Sequence, residues 1–235
     1  MKIILLGYGK MGKIIERIAL ERGHEISAKI DLNNAHEFAT AQGDVAIEFS
    51  HPDAAFNNLV NCINKNIPVV CGTTGWLHRK HELESLCKEK NGAFFYASNY
   101  SLGVNIFFKL NEYLAKMMSN LKDYDVSMDE IHHTEKKDAP SGTAITLAEG
   151  VLKHSSQKTK WVNESSSKAE DLEIKSFRIA EVPGTHSVKY ASAIDDLEIR
   201  HIAHSREGFA KGAVMVAEWL KDKKGIFGMD DYLKF

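Results

Sequence analysis

Two adjacent imidazoles, His132 and His133, precede Lys136 and a Pro-Ser-Gly-Thr turn within the fifteen residues from Glu130 to Ala144. These residue types can donate protons and hold carboxylates. Pro140 stops the strand-like segment before it, Ser141 is a good helix N-cap, and Gly142 lets backbone approach a ligand closely. The helix-like run Ala144 to Leu152 follows, so its first N–H groups would face a bound anion, a setting that suits a carboxylate. If the segment from Tyr124 to His133 is extended, the two histidines leave on opposite faces and only one addresses a given atom. If it is helical, they stand about 100° apart.

A second set of residues suits a dinucleotide. Lys2 to Leu6 reads as a buried strand, and Gly7-Tyr8-Gly9-Lys10-Met11-Gly12 follows ahead of an amphipathic helix to about Arg22. A G-x-G-x-x-G loop uses its first glycine for a tight turn, its second to admit a pyrophosphate, and its third for close helix packing. A second strand, Glu25 to Ile30, ends at Asp31, 19 residues beyond Gly12. An acid there accepts hydrogen bonds from ribose hydroxyls, and with no arginine after it should repel a 2′-phosphate, which favours NADH. Lys10, inside the glycine loop, keeps NADPH open.

The elements that must position these groups alternate. Strands are expected over Val45 to Phe49, Pro68 to Cys71 and Ala93 to Ala97, with helices from Ser50 to about Lys65 and Leu77 to Lys90. That order makes an α/β fold with a Rossmann-type, doubly wound parallel sheet whose ligand crevice lies at the strand carboxyl ends. Phe49-Ser50, Gly72-Thr73-Thr74 and Ser98-Asn99-Tyr100-Ser101 fall at such ends and suit a nicotinamide ribose and carboxamide. Beyond Leu102 the pattern changes: a helix from Val104 to Lys122, the histidine segment, then a polar stretch from His154 to Lys168 that reads as a mobile loop. Three alternating stretches, Leu172 to Val182, Thr185 to Ile194 and Leu197 to His204, favour an antiparallel or mixed sheet in a second, α+β domain. The expected domains are 1–101, completed by a returning helix in 207–235, and 102–206.

Composition narrows the function classes. With 30 basic and 32 acidic residues among 235 and a formal charge of −2, no strong field recruits nucleic acid or an anionic membrane. Cys62, Cys71 and Cys87 are odd in number and lack CxxC spacing, so they read as reduced thiols of a cytoplasmic protein. The apolar run at the N-terminus is too short for a signal peptide or a membrane span. His201-Ile202-Ala203-His204 does not suggest a metal, because H-x-x-H on a strand sends its rings to opposite faces.

The pattern E-x-H-H-x-x-K-x-D-A-P-S-G-T-A over Glu130 to Ala144 resembles that of the dihydrodipicolinate reductases of the diaminopimelate route to lysine. The likeness extends to Gly7–Gly12, Phe49–Pro52, Gly72–Gly75, Asn99–Asn105, Gly184-Thr185-His186 and Ser205-Arg206. It implies that His132 is the proton donor or acceptor and Lys136 a second proton donor or charge stabiliser. His133, Ser141, Gly142 and Thr143 would hold the carboxylates of a small dicarboxylate substrate, with Arg206 a further carboxylate clamp. The resemblance further implies nicotinamide contacts from Gly72 to Thr74 and Ser98 to Ser101, and a homotetramer built through the second sheet. The chain departs from the pattern at Ser98, at Ala180 and in a short loop near 165–171. The rival readings are another two-domain reductase and an NADH-binding sensor without turnover. An aspartate-semialdehyde type would need a catalytic cysteine followed by a histidine, a setting Cys71 and Cys87 lack.

Overall fold

A computed structural model describes residues 1–205 and 207–235; the expectation for Arg206 falls outside the described residues. In chain order the first elements are β1 (Lys2–Leu6), α1 (Lys10–Glu21), β2 (Glu25–Ile30), a 3₁₀ segment (Leu32–Ala39), β3 (Val45–Glu48) and α2 (Pro52–Asn64). They continue as β4 (Val69–Cys71), α3 (Lys80–Glu89) and β5 (Ala93–Tyr96). The middle of the chain forms α4 (Leu102–Met118), β6 (Asp125–His132), α5 (Gly142–Leu152), β7 (Lys160–Val162), β8 (Asp171–Arg178), β9 (Gly184–Ala191) and β10 (Asp196–Ala203). The last elements are α6 (Glu207–Leu220), β11 (Gly225–Phe227) and α7 (Met229–Leu233). Two compact units result, Met1–Leu102 with Glu207–Phe235, and Gly103–Arg206.

The first unit is a parallel six-stranded sheet in the order β11-β5-β4-β3-β1-β2. Its strands are apolar on both faces because helices cover both. Ile3 and Leu5 join a core with Ile15 and Ile18 of α1 and Val214 and Leu220 of α6, while Ile4 and Leu6 pack with Leu59 of α2 and Leu83 of α3. Each such fully buried aliphatic side chain contributes about 1.5–3 kcal/mol. β11, with no counterpart in the sequence expectations, adds a sixth strand beside β5. The strand order reverses between β1 and β3, the switch point at which open α/β sheets bind ligands.

The second unit has a five-stranded sheet in the order β10-β9-β6-β8-β7. Its inner face packs on α4 and α5 through Val126, Met128, Ile174 and Val188 against Phe107, Leu114, Leu147 and Val151. β6 runs antiparallel to β9 and parallel to β8, which makes the sheet mixed. The β8 and β9 segments, joined through Pro183-Gly184, are therefore not neighbours. β6, apolar at alternate positions, takes the centre between them.

The polar stretch from His154 to Lys168 is not the loop expected of it. Lys160–Val162 forms β7 beside β8, and Trp161 packs against the core. Lys158 is buried, donating to the Ala169 carbonyl at 2.8 Å and pairing with Asp125 at 2.7 Å. Small polar side chains disguise an anchored edge. No helix among the described residues is long and apolar enough to cross a membrane.

Candidate active site

In the first unit, the loop after β1 is shaped by its glycines. Gly7 has φ of +93°, and a Cβ there would stand 2.2 Å from the Phe49 carbonyl oxygen; one on Gly12 would stand 2.3 Å from the Gly7 oxygen. Both spaces belong to backbone. Gly9 has no neighbour within 4 Å of its would-be Cβ, so its backbone is open to a ligand. The loop borders a cleft of about 220 Å³ that is lined also by Asp31, Phe49, Ser50 and His51. Lys10 is exposed at the first turn of α1 and Met11 packs partly into the core. Asp31 is exposed at the end of β2, and its carboxylate accepts from the Leu32 N–H at 2.8 Å. The nearby Lys29 is already paired with Glu16 and lies over the Tyr8 ring.

The other expected cofactor residues sit at the ends of β4 and β5 and do not line that cleft. Thr73 Oγ1 accepts from the Ser50 N–H at 2.9 Å, tying the β3 and β4 ends together. Gly72 donates its N–H to the Glu48 carbonyl, and Thr74 is exposed beside it. Asn99 Oδ1 accepts from the Ser101 N–H at 2.8 Å, and Ser98 is exposed. Tyr100 differs from these: it is buried, its hydroxyl donates to the Cys71 carbonyl at 2.7 Å, and its ring packs on Phe49. Its phenol is taken up inside the fold.

In the second unit, strand alternation puts Val126, Met128, Glu130 and His132 on the buried face of β6. Pairing register then sets the neighbours: Glu130 stands opposite Ser176 of β8 and His186 of β9, and His132 opposite Arg178 of β8. The Glu130 carboxylate is wholly buried and accepts from the Ser176 hydroxyl at 2.7 Å, the Ser141 N–H at 3.1 Å and Arg178 Nη2 at 3.3 Å. His132 Nδ1 lies 3.4 Å from the same carboxylate, a facing contact without hydrogen-bond geometry, and is otherwise buried without a partner. Burial alone would raise the Glu130 carboxyl. The facing His132 and the hydrogen bonds from Ser141 and Ser176 outweigh it and hold the group well below the usual carboxylate range. The His186 ring lies edge-on to His132 at 4.9 Å, and burial, with the His132 charge nearby, pushes it down to about 4. His186 is therefore neutral at pH 7.

His132 is the last residue of β6, and the loop that follows carries the remaining expected residues. His133 is half-buried at its start. Lys136 Nζ pairs with Asp138 at 2.7 Å, and that bond lowers the Asp138 carboxyl below its ordinary value. Arg178 donates to the carbonyls of Lys136 and Asp138, tying the loop to β8. Ser141 caps α5, its hydroxyl accepting from the Ala144 N–H and lying 3.1 Å from His186 Nε2. The N–H groups of Gly142 and Thr143 then lack intrahelical acceptors, as at any helix start, and Gly142 is exposed with open space about it. An imidazole, an ammonium and a helix start with free N–H groups are thus held by one network. Gly184 lies beside His132: a Cβ there would stand 3.2 Å from Nε2.

The profile described as the N-terminus of dihydrodipicolinate reductase matches residues 1–100, and that of its C-terminus matches 103–233. The 4-hydroxy-tetrahydrodipicolinate reductase of Christiangramia forsetii is 51% identical over 99% of this chain and 98% of its own. The chain belongs to the dihydrodipicolinate reductase family. A 4-hydroxy-tetrahydrodipicolinate reductase of Methanoregula boonei is 31% identical over 99% of this chain and 97% of its own. Among solved structures, the dipicolinate-bound dihydrodipicolinate reductase from Paenisporosarcina sp. TG-14 is similar with a TM-score of 0.80 and 20% identity, covering 97% of each chain. A putative myo-inositol dehydrogenase from Sinorhizobium meliloti is similar at 0.59 and 10% identity, covering 96% of this chain and 91% of its own, a likeness of fold.

For a dihydrodipicolinate reductase, the sequence reading missed Glu130, Ser176, Arg178 and His186 around His132. One signal was present. Glu130 and His132 are two apart in a strand-like segment, and residues two apart share a face. Ser176, Arg178 and His186 arrive through strand pairing, which single-sequence periodicity does not encode. Glu130, His132 and His186 offer ligand atoms within 4.8 Å of one another, spacing a cation could use. The Arg178 guanidinium opposes one there, and Ser141 and Ser176 already donate to the carboxylate.

Proposed function

We propose that this chain catalyses the NAD(P)H-dependent reduction of 4-hydroxy-tetrahydrodipicolinate to tetrahydrodipicolinate with loss of water, a step toward diaminopimelate and lysine. The observation that carries the reading is the His132–Lys136–Ser141 constellation in a chain 51% identical, end to end, to a reductase of that name. The open Gly9 backbone and the switch-point cleft fit a dinucleotide. Bound there, the reduced nicotinamide supplies a hydride.

The chain's own residues do the rest. The α5 start at Gly142 and Thr143 and the Lys136 ammonium hold the substrate's carboxylates, the latter by exchanging Asp138 for the ligand, with His133 and Arg206 as further contacts. Once the 4-hydroxyl has left as water, hydride enters at C4 and negative charge builds on the ring. His132 meets that charge with a proton and Lys136 offsets it. NADH is the favoured cofactor, since Asp31 presents a carboxylate with no arginine beside it and Lys29 is already paired; Lys10 is the group that would serve NADPH.

We assign the working form as a homotetramer joined through the second sheet. A cross-strand row on its outer face, Phe177, Ile131, Thr185 and Ile202, supports this, with Phe177 and Ile202 both exposed. The free, buried thiols Cys62, Cys71 and Cys87 suit a cytoplasmic location.

The test generates the substrate in place with the preceding synthase and follows the nicotinamide absorbance with NADH and NADPH separately. Synthase-dependent oxidation, faster with NADH, is expected. No oxidation of either cofactor by protein that binds NADH refutes the activity.

A further inference from the structure

We infer that Glu130 is a positioning residue for this reduction, its single buried carboxylate holding both the His132 ring and the Ser141–Gly142–Thr143 turn in register. The inference rests on the reductase reading above.

The geometry is specific. One carboxylate oxygen faces His132 Nδ1 at 3.4 Å, and both oxygens accept from the Ser141 N–H at 3.1 Å. The proton donor and the cap of the carboxylate-binding helix thus meet on one side chain. Ser176 and Arg178 hold that side chain from β8, and Arg178 runs on to the backbone of Lys136 and Asp138. A carboxylate beside Nδ1 selects the tautomer with its proton on Nδ1, which leaves Nε2 for the substrate. Contacts of this kind are often long without ligand and shorten when substrate binds.

Packing supports the assignment. Nε2 lies beside Gly184, where a side chain on that residue would stand 3.2 Å from it. The charged and titratable groups about the ring are Glu130 on its own strand, Arg178 on β8, His186 on β9, His201 paired with His186 on β10, and Lys136 on the following loop. His186 is kept neutral and Arg178 is itself bound to Glu130, so the carboxylate is the anion that faces the ring. A carboxylate serving only the core would need neither a facing imidazole nor a loop arginine.

The experiment compares wild type, Glu130→Gln and Ser176→Ala for kcat, KM, pH–rate profile, NADH affinity by fluorescence and thermal melting. Glu130→Gln keeps the shape and removes the charge. Its kcat is expected to fall about 10²-fold, as for a misaligned catalytic group. Its pH–rate profile should differ from that of wild type, since the anion facing the ring is gone. Substrate KM should rise, because the turn loses its anchor, while NADH affinity stays as in wild type. Ser176→Ala, which takes one donor from the carboxylate and an acceptor from the Asn163 amide, should show the same changes at smaller size. The inference is overturned by a folded Glu130→Gln with wild-type kcat and an unchanged profile, or by one whose only change is a lower melting temperature. If Glu130→Gln does not fold, a folded Ser176→Ala with wild-type kcat and profile overturns it. Wild type that shows no synthase-dependent oxidation overturns the reductase reading, and this inference with it. Loss confined to Glu130→Gln leaves that reading standing.

Discussion

Gly184→Ala separates a structural from a chemical role for the space beside His132. The added Cβ would lie 3.2 Å from His132 Nε2, 3.4 Å from its Cδ2 and 3.9 Å from His186 Cε1. Ordinary contact begins at about 3.5 Å, so the ring must yield by about 0.3 Å. Gly184 is not among the glycines with positive φ, so alanine fits its backbone. Overpacking costs about 1 kcal/mol at the low end of its range. The stiffer unfolded chain returns roughly 0.4–1 kcal/mol, which leaves stability nearly unchanged. Chemistry fares differently if His132 is the proton donor proposed above, because a methyl group beside Nε2 displaces the ring and screens it from substrate. A misplacement of that kind costs about 10²-fold in kcat, equal to about 2.7 kcal/mol of barrier. Steady-state kinetics with the coupled synthase, beside thermal melting and NADH titration, reads all three quantities. A variant with unchanged melting and kcat within about threefold of wild type would refute the placement of the reacting proton on Nε2.

Other substitutions test the remaining parts. His132→Gln is expected to lower turnover by about 10²–10⁴-fold with NADH affinity retained, and near-wild-type turnover removes it from the acid role. Lys136→Ala should raise substrate KM and lower kcat together, so an unchanged KM argues against its carboxylate contact. Asp31→Ser removes the charge at the end of β2 and should raise kcat/KM for NADPH relative to NADH by about tenfold; an unaltered ratio places cofactor choice elsewhere. His186, with a folded value pushed down from 6.5 to about 4, stays neutral where the unfolded chain takes up a proton. Its stabilising contribution is complete above pH 6.5 and is lost as pH falls toward 4, by about 3 kcal/mol in all. Urea melts across that window should show the slope in wild type and a flatter one in His186→Gln, and equal slopes refute it.

Local signals carried the first unit far. Lys2–Leu6 and Glu25–Ile30 are strands at the expected bounds because buried runs flanked by Gly7 and Asp31 leave little choice. Ser141 caps α5 as its hydroxyl and the preceding Pro140 suggest. Other features depend on partners distant in sequence. β11 is only three residues, and its place beside β5 comes from pairing rather than from periodicity. β7 hides in a serine- and lysine-rich stretch, since an edge strand needs little apolar surface of its own. Glu130 heads the motif but carries no role in the sequence reading, and its burial becomes sensible only when Ser176 and Arg178 on one side and His186 on the other are in register with β6.

The return of the chain to its first unit bears on the order of synthesis. Gly103–Arg206 is one continuous stretch, whereas the first unit needs Glu207–Phe235 for its completion. Until those residues leave the ribosome, Ile3, Leu5, Val45, Ile47 and Phe95 lack Ala213, Val214, Ala217 and Leu220 of α6, and β5 has no strand on its outer edge. The segment made second can thus close its core before the segment made first, an inversion of the N-terminal-first order usual in growing chains. A nascent chain stalled near residue 206 is expected to protect β6, β8 and β9 from protease while β1 and β3 remain open to it, with one face of the sheet covered by α1 alone.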